Sequence, residues 1–354
     1  MGSLNDPITI KVQALSDLEL AVLICLVADQ HCIIEAENSR LGDVQEELKL
    51  VASNVFGLTC AVLECDENVT LDDFGVGILI KEEDNEYSPK RKSGEVPRSP
   101  SKSFSPLDTR RIANVVVARD LNQASAQVQI QALELMRGKR NFTRTAVHAA
   151  PRPFLFIALA ASGTSRLTMH LRDQFFISHK HQTDDGLPNL EEGQEKEPVP
   201  EDSASMSSVV HTPRFEGAEQ KARVALFPPD DLAHLSSRTS GVKISSEVRA
   251  YLHNMVVFMR LHRAVAGGVS ALATRHFNTL AHVLAPLHGL DYVSPSMVAL
   301  AARKIYPHRI IITAPQNERS MQWGSSLDAV KAVLEGVSVE DVVEEVVESV
   351  EAPL

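Results

Sequence analysis

Residues 31–44 read HCIIEAENSRLGDV. His31 to Glu35 is a short apolar run of strand character, a polar loop follows, and a helical pattern starts near Asp43. Val44, Leu48, Val51 and Val55 recur at i, i+4, i+7 and i+11, which marks one buried face of that helix. Strand, loop and helix in this order form the shape in which many proteins hold a nucleotide's phosphates. The loop has one glycine, Gly42, and an acid, Asp43, stands where a lysine would belong.

The segments on either side repeat the alternation. Upstream, residues 17–29 are apolar and rich in helix formers, which predicts a buried helix. Downstream, TCAVLE (59–64) predicts a second strand, and TLDDF a loop or short helix. IANVVVA (112–118) and PFLFIALAA (153–161) are continuous apolar runs suited to the centre of a parallel sheet. Between them Ala124, Val128, Ala132 and Met136 give residues 123–137 a helical face, and RLTMHLRDQFFISH (166–179) reads as helix then strand. Alternating elements imply an α/β domain with a mostly parallel sheet flanked by helices. Ligands on such sheets sit at the carboxyl ends of strands, where residues 36–43 fall.

From Pro229 the pattern is helical throughout, so an all-α domain is expected to follow. Val248, Tyr251, Leu252, Met255 and Met259 make one stripe, residues 272–287 a second helix, and SPSMVALAARKIY (294–306) a third. Ser294 is placed to cap that helix with Pro295 at its first position. VEDVVEEVVESV (339–350) alternates valine pairs with acids and is expected to dock on its own domain, a partner-binding helix being the alternative.

Two stretches break the pattern. Residues 82–106 hold serine, proline and charge with almost no apolar content, and residues 182–215 are similarly polar; both are predicted to be disordered. The first contains Ser88-Pro89, Ser99-Pro100 and Ser105-Pro106, sites a proline-directed kinase would accept, and Lys90-Arg91-Lys92, a weak localisation or acid-binding signal. The expected organisation is an α/β core over 1–80 and 107–181, a helical lid over 229–312, and an acidic helical segment over 325–354.

Composition bounds the function classes. At 354 residues two domains are expected, and 44% hydrophobic with 23% charged residues is ordinary for a soluble globular chain. The net charge of −11 argues against nucleic acid as the main partner. Cys25, Cys32, Cys60 and Cys65 form no C-x-x-C pair, so zinc held by cysteine is not expected, and their apolar neighbours suggest buried thiols in a reducing compartment. MGSLNDPITI lacks the basic and apolar regions of a signal peptide, and LELAVLICLVA is too short to span a bilayer. A cytoplasmic location is expected, with a nuclear one left open.

RDLNQASAQVQIQALELM (119–136) resembles the Walker B segment of MoxR-type AAA+ ATPases, the group that includes the magnesium chelatase ATPase subunit. RPFLFIALAAS looks like that group's next strand, which carries sensor 1, and LRDQFF looks like its Leu-Asp-Arg-Phe box. GVSALATRHFNTLAHVLAPLHGLDYVSP (268–295) is similar to its lid helix, and HRI (308–310) with GVSVEDVVEEVVESV (336–350) to the lid's closing elements. The resemblance covers most of the chain outside the two polar stretches and implies a P-loop-like ATPase domain with an AAA lid.

Five working sites of that group carry other residues here. A Walker A loop cradles phosphates with glycine backbone N–H groups and adds a lysine and a Mg²⁺-binding hydroxyl. The resemblance places residues 35–44 on that loop with one residue more than usual, Ala36 to Gly42 forming the turn, Asp43 at the lysine and Val44 at the hydroxyl. A carboxylate about 4 Å from a phosphate charge repels it by roughly 4 kcal/mol at an effective dielectric near 20. Arg119 and Asp120 match the Walker B Asp and Glu, and an arginine repels the metal. Ala161 matches sensor 1, Gln174 the arginine that acts on a neighbour's nucleotide, and Leu272 the sensor 2 arginine, with Arg275 one turn further on.

The expectation is a degenerate AAA+ protein that does not hydrolyse ATP and acts as a binding, scaffold or regulatory subunit, possessing no catalytic, cofactor or metal residue of its own. Its partners would be proteins, including hydrolysing AAA+ subunits of a ring. Two alternatives stand beside it: an active chelatase-like ATPase using ATP and Mg²⁺ through an unorthodox site, and a stand-alone scaffold switched by phosphorylation of the serine-proline stretch. Glu37 and Asp43 could attract a cation in place of phosphate. His179-Lys180-His181 is half of a metal site at most and reads as surface histidines; Gly267-Gly268 reads as a helix end between two helices; Arg110-Arg111 reads as a solvated or interface pair. No Ser-His-Asp or Cys-His arrangement is legible from spacing.

Overall fold

The protein is described here by a computed structural model covering residues 7–81, 110–144, 146–164, 167–182, 184–194 and 225–353. In chain order the main elements are α1 (Pro7–Gln13), α2 (Asp17–Ala28), β1 (Cys32–Ala36), α3 (Leu41–Leu50), β2 (Cys60–Glu64), α4 (Leu71–Gly77), β3 (Val115–Arg119), α5 (Ala126–Gly138), β4 (Leu155–Ala161), α6 (Met169–Gln174), β5 (Ile177–Lys180) and α7 (Pro188–Gln194). The helical part follows as α8 (Pro229–Gly241), α9 (Ser246–Leu261), α10 (Ala271–Leu287), α11 (Pro295–Ile305), α12 (Leu327–Leu334) and α13 (Val339–Ser349).

The five strands form one parallel sheet in the order β2-β3-β4-β1-β5. Its register places Ile34 beside Leu159 and Val117 beside Ile157. Alternate residues then feed two cores. Cys32, Ile34, Val117, Ile157 and Leu159 face α2, α3 and the C-terminal helices. Ile33, Val116, Ala118, Phe156 and Ala158 face α4 and α5. Burial on both faces is why these strands read as unbroken apolar runs. Helix α2 is buried on nearly every side and begins with a reciprocal cap between Ser16 and Glu19.

The helical part is built as its spacing predicts. Ser294 caps α11 by accepting from the Met297 N–H, with Pro295 at the first turn. Helix α13 buries Val339, Val342, Val343 and Val346 against α9 and α11 and keeps its acids outside, so it docks on its own domain. Arg303 grips Glu344 with two bonds of 2.7 Å across the α11–α13 contact.

Several local expectations are corrected. Ile112 does not belong to β3; Arg111–Ile112 pairs antiparallel with Leu79–Ile80 as a separate ladder. The stretch 182–215 was expected to lack structure, yet its described part, residues 184–194, contains α7. A fully buried carboxylate explains it: Glu47 accepts from the Asn189 and Leu190 backbone N–H groups at 3.1 and 2.8 Å and from Asn189 Nδ2 at 2.8 Å. Glu19 takes a further bond from Asn189 Nδ2 at 2.8 Å. Helix α7 is therefore fixed by two acids far away in sequence, which composition does not reveal. The region after Pro229 also holds a short antiparallel pair, Val265–Gly267 with Ile311–Ile312. Gly267 and Gly268 lie at this pair and not at a helix end; Gly268 has φ +100°, and a Cβ there would come 2.1 Å from the Arg309 carbonyl oxygen. The predicted disorder of residues 82–106, with its serine-proline sites and its Lys90-Arg91-Lys92 cluster, lies outside the described residues. Among the described residues no helix is long and apolar enough to cross a membrane.

Candidate functional site

The carboxyl ends of β3, β4 and β1 lie side by side. The Asp120 N–H donates to the Leu159 carbonyl at 2.8 Å, and the Ser162 N–H to the Ala36 carbonyl at 2.8 Å. Arg119, Asp120, Ala161 and the turn after Ala36 therefore share one edge of the sheet.

The turn itself is short and helical. From Glu37 the chain forms one 3₁₀ turn, Asn38–Arg40, which runs directly into α3. The Arg40 N–H is satisfied by the Glu37 carbonyl at 2.9 Å. Among the described residues none between Gln30 and Phe56 has positive φ, so the connection holds no left-handed residue. Gly42 sits inside α3, and a Cβ added to it would meet nothing within 4 Å. Leu41 and Val44 are fully buried, while Asp43 is exposed on the first turn. Val44 thus points into the core, away from any place where a metal-binding hydroxyl would be useful. Because Gly42 is an ordinary helical residue, Gly42→Ala should stabilise the fold by about 0.5–1 kcal/mol. Denaturant unfolding checks this, and a loss of stability would show that the glycine serves a special backbone state.

Charges at this edge are mixed. Arg119 lies 3.4 Å from Asp120 and 3.9 Å from Glu64, so the arginine is occupied by neighbouring acids. Asp120 is held in the left-handed region at φ 55°. Burial pushes the Cys65 thiol up to about 12, with Asp120 adding to the effect, and burial likewise raises Cys60 to about 12 and Cys25. These thiols are protonated at neutral pH and are not nucleophiles. Between the strand ends and the helical part lies a cleft of about 380 Å³. Glu35, Ala161, His179, Arg303, Lys304 and Glu340 are among the residues lining it.

Comparison with known proteins agrees with this architecture. Residues 257–328 match the family described as the AAA lid domain. The crystal structure of a candidate ATPase from Cytophaga hutchinsonii ATCC 33406 superposes with a TM-score of 0.64 at 16% identity, over 98% of this chain and 94% of that one. A full-length MCM homolog from Methanopyrus kandleri is looser, with a TM-score of 0.44 and 13% identity over 84% of this chain and 57% of that one. No curated protein matches the sequence. The fold is that of an AAA+ ATPase with its lid.

Within the AAA+ fold the remaining sequence-derived positions lie elsewhere. Gln174, Leu272 and Arg275 line a recess of about 700 Å³ at the opposite, amino-terminal edge of the sheet, together with Asp29 and His31. Gln174 accepts from Arg137 Nε at 2.9 Å, and Lys139 pairs with Asp29. Arg275 is therefore at the wrong end of the strands to serve the turn of its own chain. Sequence spacing could not show this, because it does not say which edge of the sheet the lid helix reaches.

The histidines at 179 and 181 are corrected outright. They are not surface residues but 4% exposed each, and they gather with Asp185. Their alternation at a strand end was the available signal; the turn that returns Asp185 was not legible.

Proposed function

We propose that this chain is a degenerate AAA+ module, of the kind resembling the MoxR and magnesium chelatase ATPase subunits, that does not hydrolyse ATP and works by binding. The observation that carries the reading is the β1–α3 connection: a 3₁₀ turn continuous with the helix, an exposed carboxylate at Asp43, and Val44 in the core. A phosphate there would meet neither arched backbone N–H groups nor a lysine. The occupied Arg119 and the apolar Ala161 support the same conclusion.

Such a module acts through its surfaces. AAA+ proteins typically assemble with protein partners, and the amino-terminal edge carrying Arg137, Lys139 and Arg275 is the face we assign to a neighbouring subunit. The deciding experiment is calorimetry with Mg²⁺-ATP and with ADP at millimolar concentration, paired with thermal melting. Neither heat nor a rise in Tm is expected. Micromolar binding of either nucleotide would overturn the reading, and a hydrolysis assay would then test the active-ATPase alternative.

A further inference from the structure

We propose that His179, His181 and Asp185 form a binding site for a divalent transition-metal ion of the zinc class, at the carboxyl end of β5. The inference is independent of whether nucleotide binds.

The site is assembled by local structure. His179 and His181 are two apart along an extended chain, so their rings fall on one side. The His181 N–H donates to the Glu35 carbonyl at 2.8 Å, which carries the β1–β5 pairing one residue past the strand and fixes the second ring. A tight turn then brings Asp185 back: its N–H donates to the Gln182 carbonyl at 3.1 Å, and its Oδ2 accepts from the Gln182 N–H at 2.8 Å. Each of the three side chains offers one ligand atom, and these atoms lie within 4.8 Å of one another. His181 Nδ1 is 3.8 Å from Asp185 Oδ2.

The polar atoms point to a ligand. Both histidines are more than nine-tenths buried. His179 Nε2 and both ring nitrogens of His181 have no hydrogen-bond partner among the described residues. A buried polar atom without a partner costs about 1–3 kcal/mol, so three of them in one place need an explanation. A cation explains one nitrogen of each ring by accepting its lone pair, His179 Nε2 and either nitrogen of His181, the other His181 nitrogen keeping its proton. Asp17 and Glu47 add negative potential nearby; Lys304 and Arg40 oppose it.

The donor set selects the ion. Two imidazoles and one carboxylate suit zinc and its first-row neighbours, whereas magnesium and calcium prefer all-oxygen sites. Tetrahedral zinc holds its ligand atoms about 3.4 Å apart, given bonds near 2.1 Å. The His181–Asp185 pair at 3.8 Å is close to this spacing, and the cluster as a whole, within 4.8 Å, must draw in on binding; Asp185, with a third of its side chain exposed, has room to move. Three protein ligands leave a fourth position open to water or a partner's side chain. The bound ion would lock the end of β5 to the turn leading into α7, beside the β1–α3 connection.

The test uses tag-free full-length protein stripped with chelator and titrated with Zn²⁺, Co²⁺ and Mg²⁺. The expected result is one equivalent of Zn²⁺ bound at micromolar or tighter affinity, a Tm raised by about 3–5 °C, a tetrahedral Co²⁺ visible spectrum, and no response to Mg²⁺. His181→Gln and Asp185→Asn should each weaken Zn²⁺ by about tenfold or more. Asp185→Asn keeps an oxygen for the Gln182 N–H, so its metal-free Tm should equal that of the wild type even if His181→Gln fails to fold. Absence of Zn²⁺ binding by the wild type, or unchanged affinity in a folded Asp185→Asn protein, overturns the proposal.

Discussion

Arg309→Met should lower the unfolding free energy by about 3–5 kcal/mol, as expected when one partner of a buried charge network is removed. Arg309 is 1% exposed and lies where the lid meets the core. Its guanidinium donates to the carbonyls of Phe176 at 3.2 Å, Ile305 at 2.7 Å and Asp173 at 3.2 Å, and also to that of Phe175. Nη2 donates to His276 Nδ1 at 2.7 Å, and Nε stands 3.3 Å from the Asp173 carboxylate as an ion pair. Burial lowers its pKa to about 10 against the pull of Asp173, which still leaves it charged at neutral pH. Methionine would fill the volume but remove the arginine's donors from these carbonyls, the Phe175 carbonyl alone keeping His308, and leave Asp173 with Ser270 Oγ, at 2.8 and 2.9 Å. Arg309→Lys should recover only a minor part, because an ammonium has three donors on one point and cannot fan to four carbonyls. The measurement is urea unfolding of wild type and both variants. Wild-type stability in Arg309→Met would show that the lid is held by its apolar contacts alone.

That joint also marks the limit of sequence reading. Residues 173 and 308–310 were matched to family segments, but nothing in their spacing says that Arg309 crosses to residues 173–176. The sheet was legible because burial on both faces leaves unbroken apolar runs at residues 115–118 and Leu155–Ala161. The helical part was legible because its stripes have a period near 3.6 and its caps are local, as at Ser294. What escaped depends on contacts distant in sequence: α7 fixed by Glu47 and Glu19, and Gly268 made necessary by the Arg309 backbone. At the site, the identities of Asp43, Val44 and Ala161 were legible residue by residue. The continuity of the turn with α3 was not, because one glycine in a polar stretch fits a loop and a helix equally well.

Acidification from pH 6.5 to pH 5 should remove about 3 kcal/mol of stability through His31 and His276 alone, each approaching a slope of about 1.4 kcal/mol per pH unit once pH is well below 6.5. Both are buried. Burial, and next Lys139, hold His31 down to about 4; hydrogen bonding to the Met136 backbone and the Asp29 charge act against this. Burial, and next Arg309 and Arg275, hold His276 down to about 3. Geometry makes the same statement, since His31 Nδ1 accepts from the Phe156 N–H at 3.1 Å and His276 Nδ1 accepts from Arg309. A proton on either nitrogen would break that bond and place a charge beside a donor. His308, donating to the Phe175 carbonyl at 3.2 Å, is lowered by burial and then by Arg309, and adds to the effect. In the unfolded chain these rings protonate near 6.5, so over this window the unfolded state binds more protons and stability falls as pH falls. The loss begins as pH drops through 6.5 and continues until the folded-state values near 4 and 3 are reached. The capping carboxylates Asp73, Asp341 and Glu318 are lowered by hydrogen bonds from Thr70, Ser338 and Ser320, and they lose their contribution only at more acid pH. The window from 6.5 to 5 therefore reports the histidines. Denaturant midpoints measured across it should decline steadily, and a flat profile would mean that the folded protein accommodates these imidazolium charges after all.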